Sequence, residues 1–432
     1  MELSDFAPPP YPSEQQQIDA LHKGLGRAGL WAQAGRLSTD TLLSACLEDW
    51  RFDGQFEEVR GNWLWELMGW LGGRDSFRTF ILEELINSTE ASPVFQLCQL
   101  VGQYALEGDQ PSRSTLRHLV ERRQFPDWPY VAEEEILRID GVEGFTFLAR
   151  IRGESLQTHE WDWHDDSFVR VASEQLGEEI VHSILGETHD RDIARFAQAW
   201  KAQPVVKPWE ADREEREGRY TWPVERVISF AYGGGHCRWM VRWGIDADEM
   251  SLNQVADELW RADDPDLIYR LLYVFNHRQL PEFDPRLIAF CQYDDEKIRR
   301  NAYQALAMNP HESVRQFAIQ KLEQGDVIRA TELWVRNFRS GDETRLLSAI
   351  SQSPDGDQRH RVLMKVHDLL EENPNADVSR LGLWSYRHNP CSFCRESLVR
   401  LFSSRKNAPQ WLREEARYDA NQETRQVILE ST

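Results

Sequence analysis

The sequence predicts an all-α fold whose second half is built from short helices paired through tight turns. Three observations carry that prediction. Apolar residues recur at helical spacing almost everywhere after Ser13. Alternating apolar–polar runs long enough for strands are missing. From Ser251 onward, amphipathic segments of about 10–15 residues follow one another through turns containing Asp, Asn, Gly or Pro. Helix should therefore exceed roughly 55% of residues, well above the usual third.

Taken in order, residues 1–12 read as a mobile tail, because Pro8-Pro9-Pro10 neither continues a helix nor donates to a sheet. Residues 13–202 form a helical, tryptophan-rich, acidic region. Its apolar stripes are Trp63, Leu67, Trp70 and Leu71, then Phe80, Leu82, Leu85 and Ile86, then Val94, Leu97, Cys98, Val101 and Ala105. Leu116, Leu119 and Val120 continue the series after Pro111, which is placed to start a helix. Residues 203–222, with Pro223 just after them, hold a dense charge run between prolines at 204, 208 and 223, the texture of a linker or of an exposed charged helix. Gly233-Gly234-Gly235 follows a helical stretch from Val224 to Tyr232 and has no Lys-Ser/Thr behind it, so it reads as a helix cap and turn and not as a phosphate loop. Residues 223–432 form the array of short helices.

Composition narrows the function. The 432 residues are 41% hydrophobic and 11% aromatic, ample for a core, and carry a net charge of −22. Residues 1–250 hold 25 Lys and Arg against 44 Asp and Glu, while residues 251–432 hold 25 against 28. Nucleic-acid affinity rests on counterion release by basic residues, so this balance argues against DNA or RNA and favours a basic protein or peptide partner. The longest apolar stretch, Trp63 to Leu71, is nine residues and contains Glu66, about half a membrane span. The six cysteines read as reduced core thiols, and the acidic, Pro-rich start lacks the features of an export signal; both point to a cytoplasmic protein.

Two helical segments share a frame at a 16-residue offset. Ile298-Arg299 precedes Ala302 and Leu306, and Val314-Arg315 precedes Ala318 and Leu322, with Asp295 or His311 three residues ahead. Leu412-Arg413 with Ala416 repeats the first part, Cys394-Arg395 with Leu398 repeats it more loosely, and Phe168, Ala172 and Leu176 fit it upstream. This frame resembles the inner helix of HEAT-family repeats, members of the armadillo/HEAT superfamily, in which an aspartate and an arginine at set positions link neighbouring units. The resemblance implies an α-solenoid of helical hairpins. Small alanines let helices approach, and a lone hairpin cannot bury its own apolar face, so stacking follows.

Several constellations invite chemistry. Cys391 and Cys394 form a C-x-x-C with His388 just before it, which would suit a redox pair or three zinc ligands. No second C-x-x-C completes a zinc site, so these read as structural thiols. His159, Asp162 and His164 sit among acids and are candidate ligands for Zn, Fe or Mn, with a polar loop before a helix N-terminus as the plainer reading. Trp63, Trp65 and Trp70 read as core. Trp161, Trp163, Trp209 and Trp222 lie in polar or Pro-rich surroundings and are the candidate partner-binding residues, as exposed aromatics rimmed by charge tend to be. No nucleophile-elbow, zinc-protease, kinase or Walker motif is present. The sequence thus supports a non-catalytic protein-binding scaffold with no cofactor. The alternative is a helical-repeat enzyme, either metal-dependent through His159, Asp162 and His164 or a HEAT-like DNA glycosylase.

Overall fold

The computed structural model describes residues 3–89, 91–125, 127–158, 167–202, 217–352, 356–376 and 378–430. Of the described residues 71% are helical, and none is in a strand. No described helix is long and apolar enough to cross a membrane. The chain divides into two units. The first holds Ala7–Val205 together with Pro390–Glu396 and Ala408–Thr432; the second holds Val206–Asn389 with Met1–Phe6 and Ser397–Asn407.

In the first unit the helix starts are written into the sequence. Ser13 accepts from Gln16 N while the Gln16 side chain accepts from Ser13 N, a capping box that opens helix Glu14–Lys23. Asp109 caps Gln110–Glu121, with Pro111 in its first turn. Val94, Leu97, Cys98, Val101 and Ala105 are all buried, as are Leu116, Leu119 and Val120. Trp63 and Trp65 are core residues, and Trp63 Nε1 donates to Tyr418 O at 2.9 Å. The stripe on helix Arg74–Asn87 needs correction. Phe77, Ile81 and Leu85, spaced i, i+4, i+8, face the core, whereas Phe80 and Ile86 are 51% and 54% exposed. Leu82 and Leu85 are common to both stripes, and the choice between them depends on which neighbour the helix meets.

The segment expected to be a tail is anchored. In the second unit Phe6 is buried, the turn Leu3–Phe6 packs on helix Val378–His388, and Arg387 Nη1 donates to Asp5 O at 2.8 Å. In the first unit the polyproline carbonyls accept what their nitrogens cannot donate. Trp31 Nε1 bonds Pro9 O at 2.9 Å and Arg36 Nη1 bonds Pro10 O at 2.6 Å.

The array expected to run unbroken from 223 to 432 is also interrupted, because residues 408–432 belong to the first unit. Two buried ion pairs hold them there, beside a third between Glu57 and Arg60. Arg27 grips Glu415 with two bonds of 2.9 Å, Arg60 meets Glu57 at 2.8 Å, and Arg395 faces Asp419 at 3.5 Å. All six side chains are at most 4% exposed. Glu57 also accepts from Ser392 Oγ at 2.6 Å, and Arg60 donates to Leu21 O and His22 O at 2.8 Å each. Gly26 allows the closest approach, since a Cβ there would lie 1.9 Å from Glu415 O.

The second unit is ordered by alternation. Helices Pro265–Leu272, Glu296–Ala307, Val327–Trp334 and Asp357–Glu372 pack each on the next, with other helices between them in sequence. The N-caps of the first three are Asp264, Asp295 and Asp326, each 31 residues after the last. The structural interval is therefore 31 residues. The 16-residue frame links Glu296–Ala307 to the intervening helix Glu312–Glu323, and its Ile298, Ala302, Leu306, Val314 and Ala318 are all buried. The triple glycine does end a helix: Val224–Gly233 is closed by Gly234, at φ 83°, which donates to Phe230 O.

Past the end of each stacked helix stands an asparagine that bonds back four residues. Asn309 donates to Ala305 O at 2.7 Å, Asn337 to Leu333 O at 3.0 Å and Asn373 to Leu369 O at 2.7 Å. Asn276, turned so that its nitrogen faces Leu272 O at 3.0 Å, does the same. Each also reaches a neighbouring segment. Asn309 Oδ1 accepts from Leu280 N, Asn337 Oδ1 from His311 N, and the Nδ2 groups of Asn337 and Asn373 donate to Asn309 O and Val335 O. The ladder satisfies carbonyls that helix ends leave orphaned and ties successive layers together.

The two arginines of the frame do different jobs. Arg299 Nη1 bonds Tyr293 O and Asp294 O at 2.7 Å in its own preceding turn, while Arg315 forms a buried fork onto Asp342 and bonds Asn337 O at 2.9 Å. Ala302→Leu should overpack its layer and cost about 1–3 kcal/mol. Arg315→Ala should cost roughly 3 kcal/mol, because it strands a buried Asp342, and Arg299→Ala should cost less. Urea titrations of the three variants check the order; an Ala302→Leu protein as stable as wild type would show that the position does not face a neighbouring helix.

Candidate functional site

One cavity of the first unit grows out of an irregular helix. Residues Glu133–Thr158 are helical except at Gly141, whose φ of 55° and ψ of −125° belong to glycine alone. A straight helix would separate residues 133 and 152 by about 28 Å at 1.5 Å per residue. The bend folds the two arms together, so that Arg152 forms an ion pair with Glu133. The Arg152 guanidinium also lies over the rings of Tyr130 at 4.0 Å and Phe168 at 4.4 Å. Ahead of the first arm, Trp128-Pro129-Tyr130 runs across helix Ala91–Leu106, where Phe95 meets Trp128 edge to face at 5.5 Å.

These pieces enclose about 390 Å³. Val59, Phe95, Trp128, Pro129, Tyr130 and Val131 supply apolar wall, and Asp127, Glu133, Glu134 and Glu135 supply carboxylates against the single Arg152. Glu135 is only 7% exposed, and its carboxyl accepts a hydrogen bond from its own backbone amide. Burial pushes its pKa up to about 7; Glu133 and Glu134 act in the same direction, while its own amide and Arg138 oppose them. Cys98, buried on the facing helix, feels the same carboxylate.

In the second unit a groove of about 290 Å³ runs along the stacked helices. Its walls come from Asn276 and His277, from Gln304, Ala307 and Met308, from Glu332, Val335 and Arg336, and from the helix that carries Lys365, Asp368, Glu371 and Glu372. Four acids stand against two bases.

Of the residues singled out from sequence, His159, Asp162, His164, Trp161, Trp163 and Trp209 lie outside the described residues. Trp222 is half-buried in an aromatic cluster, 5.2 Å from Trp239 and 6.1 Å from Phe230, with the Arg226 guanidinium 3.8 Å from its ring centroid. Much of that ring is thereby covered. Cys391 is buried and Cys394 half-buried, and neither is in a disulfide. A hydrogen bond to Cys391, then burial, raises the Cys394 pKa, so the Cys394 sulfur stays protonated at neutral pH. His388 stacks on Trp384 at 4.2 Å, with Nδ1 2.8 Å from Trp384 O.

The cavity around Glu135 was not anticipated. Its signal in the sequence is slight: an Asp-Gly step inside a long helical pattern, preceded by Trp-Pro-Tyr and three consecutive glutamates. No protein-family model, curated protein or solved structure matches this chain.

The buried carboxyl makes stability depend on pH. Its folded pKa of about 7 lies above the unfolded value of about 4.3, so its contribution is fully present below pH 4 and is lost as pH rises through 7. Glu135→Gln removes the charge that burial opposes. The variant should gain stability over wild type between pH 5 and pH 8, reaching on the order of 3 kcal/mol. Thermal melts across that range check it; a difference that stays flat with pH would mean that Glu135 ionises freely.

Proposed function

We propose that this chain is a non-catalytic protein-binding scaffold whose second unit is a HEAT-like α-solenoid. The carrying observation is the groove along helices Pro265–Leu272, Glu296–Ala307, Val327–Trp334 and Asp357–Glu372, which alternate at a 31-residue interval. Stacked helices joined by an asparagine ladder make a rigid surface, and a partner laid on such a surface loses little to reorganisation of the receptor. The four groove acids and the net charge of −22 favour a basic partner, and attraction of that kind raises association rates and sharpens selectivity. In this reading the protein works in the cytoplasm and takes its specificity from surface chemistry.

The test is affinity capture with the full chain beside the double variant Asp368→Lys and Glu372→Lys, whose side chains line the groove. A partner held by wild type in 150 mM salt should be lost or much weakened in the variant. Equal capture by both proteins would place binding elsewhere and remove the groove from the proposal.

A further inference from the structure

We infer that Cys391 and Cys394 form a redox modification site, a thiol pair that closes to a reversible disulfide in the presence of a low-molecular-weight disulfide such as oxidised glutathione. The inference concerns the first unit and is independent of the groove proposed above.

Three observations carry it. The first is placement. Cys391 immediately precedes helix Ser392–Ser404 and Cys394 is the third residue of that helix, so one turn brings their sulfurs within 4.8 Å of each other. A disulfide needs about 2 Å between sulfurs, and side-chain rotation covers a gap of this size. The second is fixation. Glu57 accepts from Ser392 N at 3.1 Å and from Ser392 Oγ at 2.6 Å, while Arg395 faces Asp419. The residues around the pair are thus held, and the two thiols lose little freedom on joining. The third is graded access. Cys391 is 3% exposed and Cys394 is half-buried, so an oxidant in solution reaches Cys394 first. The other four cysteines, Cys46, Cys98, Cys237 and Cys291, are all buried, and no two of them stand three residues apart.

Access sets the order of steps. Cys394 loses its proton to water, and its sulfur attacks one sulfur of the oxidant, whose S–S bond breaks to release the first small thiolate. Cys391 then loses its proton and attacks Cys394 Sγ, which breaks the mixed bond and releases the second. Each released thiolate takes up one proton. Two electrons pass from the cysteine pair to the oxidant, and one disulfide replaces another. The positive helix start and Arg395 favour the thiolates through which exchange passes, whereas the hydrogen bond between the thiols and their burial oppose them. Exchange is therefore slow, and the informative reading is the position of equilibrium.

The full chain is equilibrated in glutathione buffers of graded composition with a metal chelator present, quenched in acid, alkylated and mapped by mass spectrometry. Oxidised glutathione in excess should convert most of the chain to a form two hydrogens lighter, linked between Cys391 and Cys394. Excess reduced glutathione should restore both thiols. Cys394→Ser should abolish the link, and Cys391→Ser should stop at a glutathione adduct on Cys394, because the second attack is lost. Cys291→Ser, which removes an isolated buried thiol, should leave the conversion unchanged. Circular dichroism reports whether helix is kept in each buffer. A wild-type pair that stays reduced with oxidised glutathione in excess overturns the inference, as does a link that appears only together with loss of helix.

Discussion

Three buried guanidiniums neutralised by three buried carboxylates set the architecture of the first unit. Arg27, Arg60 and Arg395 face Glu415, Glu57 and Asp419, and all six are withdrawn from water. Such pairs need not add net stability, because desolvation can exceed their mutual attraction. Their effect is to make one arrangement far better than its neighbours. Losing any one partner leaves a charge buried without compensation, and Arg27 with Glu415 and Arg395 with Asp419 thereby favour one packing of residues 408–432. The titration shifts reflect that tension. Burial raises Asp419 despite the pull of Arg395, whereas burial of Glu57 is outweighed by Arg60 and the Ser392 hydroxyl, which lower it.

The second unit solves a similar problem with neutral groups. Asn276, Asn309, Asn337 and Asn373 each close the end of one stacked helix, and each also bonds a neighbouring segment. Neutral amides carry a smaller desolvation cost than ions, so a ladder of them can repeat along a stack without accumulating charge. Arg315 with Asp342 is the ionic exception, placed beside Asn337 in the same ladder.

The bend at Gly141 brings Arg152 onto Glu133 and leaves Glu135, two residues away, buried beside Gly102 with Arg138 as the basic group that acts on it.

What the sequence determined by itself was local. Helical periodicity established the all-α class, Ser13, Asp109 and Pro111 marked helix starts, and Gly234 marked an end, because caps and apolar stripes act within one or two turns. The buried frame of Ile298, Ala302 and Leu306 is legible for the same reason, and its 16-residue offset joins two successive helices that share an apolar pattern. That the stack advances every 31 residues, that Phe77 and not Phe80 faces the core, and that Arg27 finds Glu415 across 388 residues were decided only in the tertiary structure. The Glu135 cavity belongs with these. A glutamate next to two others reads as a solvated face, and it becomes a buried carboxyl only when a bent helix, a Trp-Pro-Tyr turn and the helix bearing Cys98 close around it. Spacing along the chain reports which residues share a surface; which surfaces meet depends on charge and volume complementarity between segments far apart in sequence, where no local pattern carries the information.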